Sequence, residues 1–176
     1  PRWTRPRSGY GAPALTDRTA FDPLAEAKRQ WTSRQLPEPR SMYAAISLIH
    51  AQQVMSMAID RALKPLGLTF ARYEVLMLLS FSAAGSLPIT KMGERLLVHP
   101  TGITRLVDKL VVGGFVERTQ HPDDRRSVLA AITPAGRRIA ETATGALGEV
   151  NFGLPRSAAD LEELGSILER IRADDG

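Results

Sequence analysis

Between Ser41 and Lys64 the apolar residues return every three or four positions. Leu48, Ala51, Met55, Ala58 and Ala62 share one stripe, which predicts a long amphipathic helix. Ile46, Ile49, Ile59 and Leu63 widen that stripe around much of the circumference, so the helix needs partners on two sides. Pro65 and Gly67 end it. Thr69 is placed to cap a second helix, FARYEVLMLLSFSA, in which Val75, Leu76, Leu78, Leu79 and Phe81 predict the most buried element of the chain. AGSLPI reads as a turn and KMGERLL as a short helix capped by Thr90.

The next segment, VHPTGITRLVDKLVVGGF, carries a helix with His99 at the N-cap and Pro100 at the first helical position. Ile103, Leu106, Val107 and Leu110 lie at i, i+3, i+4 and i+7, so one face is core, and the opposite face carries Thr101, Gly102, Thr104, Arg105, Asp108 and Lys109. Gly113 and Gly114 stop the helix. FVERT and SVLAAI then read as paired strands, with His121 to Arg126 as the charged tip between them. Thr133-Pro134 starts a connecting helix over 134–150, with Ile139, Ala143, Leu147 and Val150 on one stripe. Ser157 with Asp160 forms a capping box for a last helix over 157–172, where Leu161, Leu164, Leu168 and Ile171 follow at heptad-like spacing. At the other end, residues 1–20 mix Pro, Gly and Arg without periodicity and read as a disordered basic arm. Residues 21–40 form an N-terminal extension with a short helix over DPLAEAKRQW, Asp22 as its N-cap and Pro23 first in the helix, before QLPEP breaks the chain.

This order of elements predicts a mainly α fold with a small β-hairpin wing. A winged helix-turn-helix DNA-binding lobe occupies 69–133, and a helical dimerisation region is built from 41–64 and 157–172, all within one domain spanning 41–172. A helix that exposes small polar residues and one arginine suits a major groove about 12 Å wide. Thr101, Gly102 and Thr104 allow close approach to the bases, Arg105 is long enough to pair bidentately with a guanine, and Lys109 reaches a phosphate. On the hairpin tip, Arg125 or Arg126 suits an adjacent minor groove. The competing readings are a solvated tip, and an Arg105 paired with Asp108 three residues on.

Composition narrows the function classes. The net charge of +4 is carried by the first three quarters of the chain, while residues 127–176 are net acidic, which fits one face presented to a polyanion. With no cysteine there is no disulfide, thiolate metal site or thiol-based peroxide sensing within this chain. His50, His99 and His121 are scattered over different predicted elements, so neither a metal nor a cofactor is expected. No phosphate-binding Gly loop or nucleophile elbow occurs, and Asp123-Asp124 is too wet and too close to arginines for general acid work, so no enzymatic activity is expected. The apolar runs are too short to cross a bilayer, and a cytoplasmic location without membrane contact is expected.

The stretch from LTFARYEVLMLLS to ITPAGRR resembles the MarR family of bacterial transcriptional regulators, in particular actinobacterial members with an N-terminal extension. The likeness runs from about Ser41 to Leu147. It is sharpest at TRLVDKL, at GGFVER, and at the wing signature of Asp124, Arg126, Ile132 and Thr133. The resemblance implies that Arg126 enters a minor groove while Asp124 orients it, and that Thr101, Thr104 and Arg105 contact bases. It also implies a homodimer on double-stranded DNA, a repressor released by a small aromatic or phenolic acid bound beneath the dimer helices. His50, Arg72 and Tyr73 are the polar groups expected to meet such an effector, unless Arg72 and Tyr73 merely cap and cover their own helix. Gly102 replaces the usual Ser or Thr, and Gly93 the usual Ala. The rival class is a winged-helix module for protein-protein assembly.

Overall fold

The computed structural model describes residues 22–96, 100–121 and 127–173, with the backbone alone for Pro100 and Thr101. The arm over 1–20 and the proposed cap His99 lie outside these residues. The chain divides into two compact units, one ending at His50 and the other beginning at Ala51.

In the first unit, helix α1 (Pro23–Ser33) is capped by Asp22, whose Oδ1 accepts from the amides of Leu24 at 2.9 Å and Ala25 at 3.2 Å. Within it, Gln30 and then Arg29 donate to Glu26 and hold its carboxyl below the usual glutamate range. Gln35 and Glu38 adopt positive φ, so the QLPEP break is a sharp turn, and the Trp31 indole donates to Pro37 O across it at 2.8 Å. Helix α2 (Pro39–Leu63) follows, and Lys28 lies 4.7 Å over the ring of its Tyr43.

In the second unit, α2 ends in a 3-10 turn closed by Gly67 in the left-handed region, as Pro65 and Gly67 foretold. Ile59 and Leu63, which widen the expected stripe, provide its buried contacts. Helix α3 (Phe70–Phe81) is capped by Thr69 and buries Tyr73, Val75, Leu76 and Leu79. It packs against the helices over Ile89–Leu96, Pro100–Val112 and Pro134–Glu149 and against the strands over Ser86–Pro88 and Val128–Ile132. Phe81 departs from the pattern expected of its sequence: it is 78% exposed. Two residues along a helix is about 200° of rotation from Leu79, so Phe81 leaves the core just as the helix ends.

AGSLPI is more than a turn. Gly85 turns the chain at φ 64°, and β1 (Ser86–Pro88) then pairs antiparallel with the strand over Val128–Ile132. Helix α4 (Ile89–Leu96) begins directly after the strand, so Thr90 lies inside its first turn and does not cap it. Helix α5 (Pro100–Val112) ends in a double clasp in which Phe115 N–H donates to Leu110 O and Gly114 N–H to Val111 O, both at 2.9 Å, with Gly114 at φ 70°. Strands β2 (Val116–Gln120) and β3 (Val128–Ile132) complete a sheet in the order β1-β3-β2, Val116 facing Ile132 and Gln120 facing Val128. Helix α6 (Pro134–Glu149) starts at the Thr133 cap and buries Ala140, Ala143 and Leu147, while Val150 lies past its end and is exposed. A tight turn with positive φ at Asn151, Phe152 and Gly153 leads to α7 (Ala158–Ala173), capped by the Ser157 hydroxyl and without a single buried residue. The fold is therefore mainly helical with a small antiparallel sheet of three strands, one more than the hairpin alone.

Candidate nucleic-acid interface

Helix α5 has two chemically distinct faces. Ile103, Val107 and Leu110 are fully buried against α3 and α4, which fixes the helix on the domain. Thr104, Arg105, Asp108 and Lys109 are exposed on the other side, and Gly102 is half-buried. The side chain of Thr101 lies outside the described residues.

Asp108 does not pair with Arg105. Its Oδ1 meets Arg118 Nη2 of β2 at 2.6 Å, an ion pair with both partners substantially exposed. Residues 105 and 108 are neighbours on the helix surface, so committing Asp108 to the strand leaves the charge of Arg105 uncompensated by its helical neighbour. Arg118 was not among the residues singled out by sequence. VERTQ carries no alternation that marks it, since only Val116 is apolar and buried and the four residues after it are all polar and exposed.

Thr133 ties the β-sheet to α5. Its hydroxyl donates to Gly114 O at 2.8 Å and accepts from Gly136 N–H at 3.0 Å, while its own amide donates to Phe115 O at 3.0 Å. One side chain therefore caps α6 and secures the turn that ends α5. The hairpin closes with His121 N–H donating to Ser127 O at 3.1 Å. The tip residues named from the sequence, Asp124, Arg125 and Arg126, lie outside the described residues.

Arg72 and Tyr73 face different spaces. Arg72 donates through Nε to Thr69 Oγ1 at 3.3 Å and lines a groove of about 620 Å³ together with Arg105, Leu106, Asp108 and Lys109. Tyr73 is buried, its hydroxyl 3.0 Å from Thr144 Oγ1 of α6. Thr144 in turn donates to Ala140 O at 2.9 Å, so the tyrosine is the donor of that pair. Tyr73 lines a cavity of about 320 Å³ with Glu74, Met77, Leu78, Phe81 and Leu96. Desolvation raises the Glu74 carboxyl above the usual glutamate range. A neighbouring cavity of about 470 Å³ between α3 and α6 shares Met77 and Phe81 and adds Ser80, Arg137, Glu141 and Thr144. His50 belongs to the other compact unit. Among the described residues no cluster of His, Cys, Asp or Glu is arranged to hold a metal, and no helix is long and apolar enough to cross a membrane.

The model of the MarR family matches residues 68–128, from the end of the α2–α3 turn to the start of β3. The crystal structure of Sco5413, a MarR family transcriptional regulator from Streptomyces coelicolor, shares 44% identity with this chain at a TM-score of 0.71, covering 77% of this chain and 95% of that one. This chain belongs to the MarR family. The multiple antibiotic resistance protein MarR of Salmonella typhimurium is 34% identical over 83 residues, 47% of this chain and 56% of that protein. The chain thus spans little more than half of that relative. Sco3205, another MarR family regulator from Streptomyces coelicolor, was crystallised in complex with DNA; it shares 25% identity at a TM-score of 0.68, covering 79% of this chain and 92% of that one. The family and the fold are those of transcriptional regulators rather than of enzymes.

Proposed function

We propose that the chain is a DNA-binding repressor that acts as a homodimer on a pseudo-palindromic operator with half-sites about one helical turn apart. The observation that carries this reading is the exposed face of α5, where Arg105 and Lys109 stand clear while Asp108 is engaged by Arg118. The DNA complex of Sco3205 supports the same use of the fold. Thr101, Gly102, Thr104 and Arg105 read bases, Lys109 meets a phosphate, and Arg126, oriented by Asp124 and flanked by Arg125, enters the minor groove.

Dimerisation is favoured by unpartnered apolar surface on the two expected helices. On α2, Ile49 is 56% exposed and Met57 55%, and Leu48 and Val54 are also open. On α7, Ile167 and Ile171 are exposed and nothing is buried. For the effector, the geometry favours the cavity between α3 and α6. There Arg137 offers a cation for a carboxylate, Ser80 and Thr144 offer hydroxyls, and Met77 and Phe81 offer apolar walls for an aromatic ring. Helix α6 both lines that cavity and is locked through Thr133 to the end of α5, so a ligand that shifts α6 shifts the DNA-reading helix.

The test is duplex binding with DNA from the upstream region of its own gene, titrated with salt. Affinity is expected to fall roughly 10³- to 10⁵-fold between about 50 and 200 mM salt for six to ten phosphate contacts; a flat response favours a protein-protein module. Arg105→Ala should relax sequence preference by about 1–3 kcal/mol, and Arg126→Ala should weaken binding without unfolding. Operator affinity that stays constant across a panel of aromatic acids would reject ligand release while leaving DNA binding intact.

A further inference from the structure

The groove of about 620 Å³ between the start of α3 and the exposed face of α5 gathers Arg72, Arg105 and Lys109 around Thr69 and Leu106, and its one acid among the described residues, Asp108, is drawn toward Arg118 at 2.6 Å. Three cations thus share one trough whose acid is already engaged elsewhere. Arg72 is positioned rather than loose. Its Nε donates to the Oγ1 of the N-cap Thr69 at 3.3 Å, and the same oxygen accepts the Arg72 amide at 3.4 Å. That arrangement leaves the two terminal guanidinium nitrogens as a fork of the shape that phosphate oxygens accept. The orphan amides at the start of α3 add partial positive charge on the same side. A second groove of about 370 Å³ adjoins this one through Thr69 and Arg72 and extends the basic path to Lys64, with Asp60 as its acid.

We propose that Arg72, with Lys109, forms a phosphate site beside the base-reading Arg105 that takes a backbone phosphodiester of the DNA whose bases α5 reads. The site rests on the DNA-binding reading and moves Arg72 from the effector to the DNA. Arg72 therefore fixes the register of α5 in the groove and carries no base preference itself.

The same chemistry would suit a free phosphate, so the experiment has two arms. In the first, wild type, R72Q and R72K are titrated with salt against operator duplex and against a scrambled duplex of equal length. R72Q is expected to reduce the slope of log K against log salt by about 0.9 for each phosphate it no longer neutralises, and to weaken both duplexes by the same factor. R72K, which keeps the charge but not the fork, should keep the slope and lose part of the affinity. In the second arm, pyrophosphate binding to the DNA-free protein is measured by calorimetry. Wild-type binding to duplex with an R72Q slope and affinity equal to wild type overturns the site and leaves the DNA reading standing. Pyrophosphate binding that R72Q abolishes, with duplex binding unchanged, assigns the groove to a free phosphate and overturns the DNA form. Failure of the wild type to bind duplex at all overturns the DNA reading instead. Unfolding of each variant by circular dichroism separates a folding defect from the loss of a phosphate-binding side chain.

Discussion

Two glycines of the same helix should respond to alanine with opposite signs. Gly136 lies in the first turn of α6 and is buried. An ideal Cβ there falls 2.1 Å from Phe115 O, 2.8 Å from Ile132 Cγ1 and 3.0 Å from the Phe115 carbonyl carbon. The isoleucine can give way, but the carbonyl is backbone. It accepts the Thr133 amide at 3.0 Å, and Phe115 N–H is itself clasped to Leu110 O at 2.9 Å, so relief means moving the end of α5 away from the sheet. Overpacking of this kind costs roughly 1–3 kcal/mol or more, against a helix-propensity gain of at most about 1 kcal/mol for Gly→Ala. The clash wins, and Gly136→Ala should lose about 2 kcal/mol net, or roughly 4–8 °C in melting temperature for a chain of this size. Gly145, about two and a half turns along the same helix, is exposed, and a Cβ there meets nothing within 4 Å. Gly145→Ala should gain up to about 1 kcal/mol. Urea unfolding followed by far-ultraviolet circular dichroism, with protein concentration held fixed because the proposed dimer would make stability depend on it, measures both. A Gly136→Ala variant as stable as wild type would refute the claim that α6 is pressed against the α5–β2 turn.

Three further outcomes follow from the hydrogen bonds and charges. Tyr73→Phe removes the donor to Thr144, which keeps its own bond to Ala140 O, so the loss should be modest, about 0.5–1.5 kcal/mol in the same urea assay. Glu74, with its pKa raised by desolvation, binds its proton more tightly folded than unfolded; stability should therefore fall as pH rises through the window just above the ordinary glutamate value, and Glu74→Gln should flatten that slope in a pH series of melting curves. Arg118→Ala releases Asp108 toward Arg105 and should weaken duplex binding measured by fluorescence anisotropy, with Asp108→Asn in the same chain restoring it; unchanged affinity in the single variant would show that the ion pair does not govern the charge of α5.

The helices were readable because each has a buried stripe, a cap or a stop written in one local stretch. Thr69 and Thr133 cap, Gly67 and Gly114 turn left-handed, and the Ile103–Leu110 face is buried as its spacing requires. Strand β1 was not readable, since three residues are too few for an alternation and its pairing depends on β3, more than forty residues away. Arg72 and Tyr73, grouped in the sequence as candidates for one effector, line different spaces for a geometric reason. Consecutive helical residues point about 100° apart, so Tyr73 turns inward to Thr144 while Arg72 turns toward α5. The partner of Asp108 was hidden for a related reason: spacing along α5 offers Arg105, and only the packing of β2 against α5 brings in Arg118.

These departures share a physical origin, and it locates where the fold does its coupling. Helical spacing describes one element at a time, whereas several contacts it does not give lie on seams between elements. Asp108–Arg118 joins α5 to β2, Thr133 joins β3 and α6 to the α5–β2 turn, and Tyr73–Thr144 joins α3 to α6. Helix α6 takes part in two of these seams and also lines the cavity with Arg137. Its inward residues in the first half are small, Gly136, Ala140 and Ala143, with the large Leu147 buried only near its far end, so at its start α6 approaches the α5–β2 turn backbone to backbone. A close-packed contact of this kind transmits strain from one element to the next. A displacement of α6 has its shortest route to α5 through the Thr133 hydroxyl and the Phe115 carbonyl, the two groups that Gly136→Ala disturbs without touching any residue of the proposed DNA face.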